Sequence, residues 1–282
     1  MSPPEPDHLR APLAAFRRSL HGVRRLGVAY SGGVDSSVLL ALALQQLGSE
    51  QVVAVTALSP SLASRDRRRA RAVAEDMGAT LVDVPTREGE REAYRRNDVD
   101  RCYHCKDELF TVIDTQLVAQ HALDAVAYGE NADDALRPDR PGSRAAQEHR
   151  VLRPLADAGM TKAVVREVAT WLGLATAQTP ASPCLASRIP HHEEVTPAKL
   201  MQVERAEDAI LALGVSDVRV RHHGDLARIE VPVGELSTVL AARSHLLAEF
   251  RRVGFRHITV DLAGLQSGVF TLEAMGLRGV TG

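Results

Sequence analysis

Leu26-Gly-Val-Ala-Tyr30 runs directly into Ser31-Gly32-Gly33-Val34-Asp35-Ser36-Ser37. A short apolar run that stops at glycines reads as a buried strand of a parallel sheet. Val38, Leu39, Leu42 and Leu47 then follow at helical spacing, and Gly48 closes the stretch. The Ser-Gly-Gly turn therefore joins a strand to the N-terminus of a helix. Paired glycines let backbone approach an anion closely. The loop amides then face it, and the helix N-terminus adds partial positive charge. Ser31, Ser36 and Ser37 offer hydroxyl donors. Asp35 would repel phosphate by itself, and makes sense as a ligand to a magnesium ion shared with the phosphates. The loop does not end in Gly-Lys-Ser/Thr, so it is not a Walker A loop, and it is not the Gly-x-Gly-x-x-Gly of dinucleotide folds.

Outward from this loop, strands and helices alternate. Residues 8–20 read as a helix, Val52–Leu58 as a strand, 62–77 as a charged helix, Thr80–Val84 as a strand, 87–97 and 103–121 as helical, and Asp124–Tyr128 as a fourth strand. This predicts an α/β fold with a doubly wound, mostly parallel sheet. Prolines and glycines interrupt residues 130–160, and a helix spans Lys162–Trp171. Beyond the Pro-flanked segment 180–190, a helix–strand–strand–helix–strand pattern predicts a second, smaller α+β domain. We place the domains at 1–185 and 186–282. Ligands of open α/β sheets lie outside the carboxyl ends of the strands. Thr56, Ala57 and Gly129, which end two of those strands, are therefore candidates for lining an adenine and ribose site.

Composition excludes some classes. The chain has 282 residues, enough for a sizeable core, and a formal net charge of −2, which gives no global pull toward nucleic acid. Aromatics make up only 4%, leaving few platforms for stacking unpaired bases. No apolar run approaches a membrane span, and the start lacks a signal-peptide pattern, so a cytoplasmic location is expected.

Three cysteines are present. Cys102 and Cys105 form a Cys-x-x-Cys pair, and Cys184 lies in Ser182-Pro-Cys-Leu-Ala-Ser-Arg188. An odd, low count argues against a disulfide framework. Spacing alone leaves three readings: structural zinc with His104 as a fourth ligand, a redox dithiol, or an iron–sulfur cluster on three cysteines with one iron open. Cys184 itself reads either as a small buried hydrophobe or as a thiolate favoured by the neighbouring Arg188.

The loop resembles the PP-loop of ATP pyrophosphatases, which transfer AMP to a substrate oxygen and release pyrophosphate. Further blocks sharpen this: Arg101-Cys-Tyr-His-Cys105, Gly129-Glu-Asn-Ala-Asp-Asp134, Arg140-Pro-Gly142, Cys184-Leu-Ala-Ser-Arg188, Val218-Arg-Val-Arg-His222 and Ala227-Arg-Ile-Glu230. Together, over roughly residues 20 to 270, they resemble the LarE sulfur transferases. The resemblance implies an ATP-dependent sulfurtransferase acting on pyridinium-3,5-biscarboxylic acid mononucleotide in nickel-pincer nucleotide synthesis. A carboxylate would be adenylated and AMP then replaced by sulfur. It implies ATP, Mg2+ and, since the Cys-x-x-Cys pair is present, a 4Fe-4S cluster on Cys102, Cys105 and Cys184; in a second branch Cys184 gives up its own sulfur. Substrate contacts would fall to Arg188, Arg219, Arg221, Glu230 and Asp261, and a homo-oligomer is expected. Two rival readings are a PP-loop tRNA thiolase and a nucleotide-binding regulator with structural zinc.

Overall fold

The computed structural model describes residues 4–136, 141–180 and 182–266. In chain order its elements are α1 (Arg10–Ser19), β1 (Leu26–Ala29), α2 (Val34–Leu47), β2 (Val52–Leu58), α3 (Ser64–Asp76), β3 (Thr80–Pro85), α4 (Glu92–Arg95), α5 (Arg101–Val112), α6 (Val118–Gln120), β4 (Ala125–Tyr128), α7 (Ala132–Ala135), α8 (Pro141–Glu148), α9 (Pro154–Asp157), α10 (Lys162–Trp171), α11 (Pro197–Leu211), β5 (Arg219–His223), β6 (Leu226–Glu230), α12 (Leu236–Ala241), α13 (Arg243–Arg252) and β7 (His257–Val260). They divide into two compact units. The first comprises Met1–Glu88 and Cys102–Ser182, the second Gly89–Arg101 and Pro183–Gly282.

The first unit holds a parallel sheet of order β3-β2-β1-β4. Successive strand residues point to opposite faces, and both faces here are apolar. Leu26 and Val28 of β1, Val52 and Ala54 of β2 and Ala127 of β4 pack with α1, α2 and α10. Val53 and Val55, with Val126 and Tyr128, pack on the other side with Phe110, Val112, Ala145 and Ala146 of α5 and α8. This two-sided burial makes the strands read as continuous apolar runs, and it is the doubly wound α/β fold expected. Leu152 adds one parallel bridge beside Ala127, just past the edge of β4.

Three local features depart from the linear reading. The 130–160 stretch is not merely irregular, because α7, α8 and α9 lie within it. Short helices are hard to see through prolines, which act at helix starts as well as breaks. The helix expected over 103–121 passes through a π-helical segment, Ile113–Leu117, between α5 and α6. The second helix of the pattern expected for the smaller domain is two, α12 and α13, separated at Ala242.

The second unit has a three-stranded sheet of order β5-β6-β7, with β5–β6 antiparallel and β6–β7 parallel. One face is apolar: Val220, Ala227 and Ile229 pack with Ile210, Leu246, Phe250 and Phe255. The alternate positions, Arg219, Arg221, Arg228 and Glu230, belong to the other face. Segment Gly89–Arg101 is contributed to this unit from within the span of the first.

Candidate active site

At the end of β1 the chain turns through Ser31–Gly33 into α2. Gly32 has φ +72°, and a Cβ there would lie 2.5 Å from Ala70 Cβ of α3. Both the left-handed conformation and the close approach require glycine. Ser36 Oγ ties the loop together, donating to the Gly33 carbonyl at 3.0 Å and lying 3.1 Å from Ser31 Oγ. Ser37 is fully buried, with Oγ 3.4 Å from the Tyr30 hydroxyl. Of the strand-end candidates, Thr56 is buried and donates to the Tyr30 carbonyl at 3.0 Å, so it locks β2 to the root of the loop. Ala57 is half-buried one residue later.

Gly129 follows β4 and approaches the start of α2 edge to edge. A Cβ there would fall 2.7 Å from the Ser36 nitrogen and 2.9 Å from the Asp35 carbonyl carbon. Helix α2 has Gly33 as its N-cap and no side chain capping its first turn. Elsewhere in the chain the starts of α7, α10 and α11 are capped by Asn131, Thr161 and Thr196. An uncapped helix start leaves amide donors for an anion. The start of α2, with Gly32 and Gly129 packed closely around it, therefore presents backbone amides to an anion.

Asp35 is embedded in a small charge cluster. Lys162 Nζ lies 2.6 Å from its Oδ2, and Asn131 Nδ2 donates to its Oδ1 at 3.4 Å. Carboxylate oxygens are donors of the kind magnesium takes, and here Lys162 neutralises the same carboxylate. Asn131 also receives the Asp134 amide at 3.0 Å, and Asp133 Oδ2 accepts the Lys162 amide at 2.8 Å. Both aspartates thus shape the turn that presents Asn131 and Lys162.

Beside this turn, Glu130 is buried at 1% exposure. It accepts from Ser143 and, at 3.3 Å, from Arg153. Burial works against its charge, but Ser143, Tyr128, Lys106 and Arg153 outweigh it and hold the carboxyl below its usual range. Burial, then Glu130, pushes the Tyr128 hydroxyl well up. Lys106 Nζ sits 4.1 Å above the Tyr128 ring, a cation–π contact. Lys106 follows Cys105 on α5, so the polar network reaches the helix that carries two of the cysteines.

Cys102 and Cys105 are three residues apart on α5 and share one face. Cys102 and Cys184 are exposed, Cys105 is half-buried, and none is in a disulfide. Thiols are the donors that both iron–sulfur clusters and structural zinc take. Among the described residues no group of three or more His, Cys, Asp or Glu is gathered for a metal ion. The first two cysteines belong to the first unit and Cys184 to the second.

In the second unit Arg221 makes a two-pronged pair with Glu230, Nε to Oε1 at 3.0 Å and Nη2 to Oε2 at 2.8 Å. Arg228 joins them, 3.3 Å from Glu230 and 2.6 Å from Asp261. Arg219 is buried against Asp217 and the Val218 carbonyl. The structure thus brings together Arg221, Glu230 and Asp261, with Arg228 as the link. Arg188 lies apart from that chain, 1% exposed and paired with Glu207 at 2.7 and 3.2 Å, while its Nη1 donates to the Pro183 and Cys184 carbonyls. It supports the turn that bears Cys184. Arg140, of the Arg140-Pro-Gly142 block, lies outside the described residues.

Residues 13–134, which contain the phosphate loop and the Gly129–Asp134 turn, match the asparagine synthase family. An uncharacterized protein of Synechocystis is 39% identical over 92% of this chain and 97% of its own length. The pyridinium-3,5-bisthiocarboxylic acid mononucleotide synthase of Lactiplantibacillus plantarum is 32% identical over 90% of this chain and 92% of its own length. The chain belongs to the LarE family. An uncharacterized protein of Methanocaldococcus jannaschii, 27% identical over 85% of the chain, is a more distant relative.

For this LarE family member, several residues of the site escape a linear reading. Lys162 stands 127 positions from Asp35, and only the fold joins them. Arg228 and Glu207 look like ordinary surface charges until their burial partners are known. Glu130 offers the one sequence signal that could have found it, since it directly follows the Gly129 at the end of β4. Among the described residues no helix is long and apolar enough to cross a membrane.

Proposed function

We propose that the protein is an ATP-dependent sulfur transferase that converts a carboxylate of pyridinium-3,5-biscarboxylic acid mononucleotide into a thiocarboxylate. The observation that carries this is the phosphate loop: Gly32 and Gly129, both closed to any side chain, lie against an uncapped helix start beside Asp35 and Lys162. The substrate follows from family membership and from the relative in Lactiplantibacillus plantarum.

A substrate carboxylate oxygen attacks the α-phosphorus of ATP, and pyrophosphate leaves into the loop. The amides at the start of α2 stabilise its growing charge. Asp35 would hold magnesium, which when bound would offset phosphate charge, and Lys162, paired with Asp35 at 2.6 Å, supplies a cation beside the loop. Thr56, Ala57 and Gly129 border the adenosine. Sulfur then attacks the adenylated carboxyl carbon and AMP departs. When the sulfur is that of Cys184, loss of its Cα proton with cleavage of the Cβ–S bond leaves a thiocarboxylate and a dehydroalanine. Cys102, Cys105 and Cys184 would hold a 4Fe-4S cluster, which when bound supplies sulfide at its open iron. Arg219, Arg221 and Asp261 are the proposed contacts to a nucleotide bearing phosphate and carboxylates; each is engaged by a protein partner, Asp217, Glu230 and Arg228 respectively, so substrate binding would exchange those partners. Arg188 acts through the Cys184 turn.

The test is pyrophosphate release from ATP with and without the dicarboxylate nucleotide. Release should depend on that substrate, and Lys162→Met should lower it on the order of 100-fold. The Lys162–Asp35 pair is partly exposed, so stability should change by under about 1 kcal/mol. Unchanged release in Lys162→Met would reduce the pair to a surface ion pair. Release of ADP and phosphate would refute the adenylation chemistry.

A further inference from the structure

Four backbone carbonyls around Cys184 accept hydrogen bonds from three arginines. Arg188 Nη1 donates to Pro183 at 2.6 Å and Cys184 at 3.2 Å, Arg101 Nη1 to Ala186 at 2.9 Å, and Arg221 Nη1 to Ser187 at 3.1 Å. Arg188 and Arg221 are themselves fixed by buried carboxylates, Glu207 and Glu230. Arg101 comes from the strap Gly89–Arg101 and is fixed differently.

Arg101 donates to the side-chain oxygen of Asn97. Asn97 is fully buried, and its side-chain amide donates to the Ile189 and Pro190 carbonyls at 3.2 and 2.7 Å. One asparagine therefore grips both the arginine under the turn and the exit of that same turn. Its φ of +59° is unusual for a residue other than glycine, and such a conformation persists where surroundings over-determine it. The backbone adds two stitches, His192 N to Asn97 O at 3.1 Å and Val195 N to Arg95 O at 2.8 Å. Meanwhile Cys184 is exposed and starts a four-residue 3-10 turn that no side chain caps. The carbonyl side of the turn is heavily anchored and the thiol is open, which is the arrangement a reacting sulfur needs.

We propose that Asn97 and Arg101 are positioning residues for Cys184, holding its turn in the geometry that sulfur transfer requires. This rests on the reading of Cys184 as the sulfur-handling residue. Small misplacements of a reacting atom are costly in rate, so the effect should appear in the transfer step and not in adenylation.

The experiment uses the full chain under anaerobic conditions and compares Arg101→Gln, Arg101→Lys and Asn97→Ala with the parent protein. Three quantities are read: pyrophosphate released, thiocarboxylate formed, and the rate at which iodoacetamide alkylates Cys184, followed by peptide mass spectrometry. In Arg101→Gln, thiocarboxylate per pyrophosphate should fall on the order of tenfold or more, with Cys184 alkylation altered severalfold. Arg101→Lys keeps a cationic donor and should recover most of the coupling. Equal loss of both products in every variant, with an unaltered coupling ratio, would overturn the proposal and leave a purely structural strap. If the parent protein makes no thiocarboxylate, the reading of Cys184 has failed. Alkylation then decides separately, and an unchanged rate in Arg101→Gln overturns the positioning role.

Discussion

Replacing Gly129 by alanine should lower ATP turnover on the order of 100-fold or more. A Cβ at this position would lie 2.7 Å from the Ser36 nitrogen and 2.9 Å from Asp35 C and Ser36 Cα. All three atoms are backbone, so no side chain can swing aside. Either α2 retreats from β4 or the strand end retreats from α2, and both moves displace the amides that face the phosphates. Overpacking of this kind costs about 1–3 kcal/mol. The functional loss is larger, because misplacement by about 1 Å can cost on the order of 100-fold in rate. Pyrophosphate release should therefore fall by at least that factor, while the thermal midpoint drops only a few degrees. Gly234→Ala is the control: a Cβ there has nothing within 4 Å, and activity should be unchanged. Full turnover in Gly129→Ala would mean that the loop tolerates a shift the packing does not offer.

Cys184→Ala should separate the two halves of the reaction. The residue is exposed, so its loss should alter stability by no more than about 0.5 kcal/mol. Substrate-dependent pyrophosphate release should persist, because the phosphate loop belongs to the other unit. Thiocarboxylate formation should fall to background, since both routes for sulfur pass through this thiol. A Cys102→Ser/Cys105→Ser double variant then distinguishes the routes. It should retain at most a single turnover if Cys184 can spend its own sulfur, and none if only a cluster supplies it. Thiocarboxylate formed at the normal rate by Cys184→Ala would reduce Cys184 to a packing residue.

How much of this was legible beforehand follows from the range of the interactions. The strand–loop–helix around Ser31–Ser37 is a local pattern, with apolar strand, paired glycines and helical spacing adjacent in the chain. The parallel sheet likewise announced itself, because strands buried on both faces are uninterrupted apolar runs. Strand alternation puts Arg219 and Arg221, two residues apart, on one face. What that alternation could not reveal is that this face is buried and neutralised by Glu230 and, through Arg228, by Asp261. Arg188 illustrates the limit. An arginine near a cysteine suggests support for a thiolate, and the family resemblance suggests a substrate contact, whereas its bond to Glu207 spans 19 positions and turns it inward. Lys162 and Asn97 were invisible for the same reason, their partners being brought to them by the fold. Helix α8 was obscured because proline and glycine at its start, Pro141-Gly142, read equally as a break.

In the proposed reaction, ATP cleavage at the α-phosphorus drives replacement of oxygen by sulfur in a carboxylate. The most direct measurement is an anaerobic reaction with ATP, magnesium and pyridinium-3,5-biscarboxylic acid mononucleotide on protein reconstituted with iron and sulfide. Product mass, AMP and pyrophosphate are quantified together. One AMP and one pyrophosphate should appear for each oxygen exchanged for sulfur, with the product heavier by the difference between the two atoms. ATP consumed to ADP and phosphate, or AMP and pyrophosphate formed while the nucleotide keeps both carboxylates unchanged, would contradict the account.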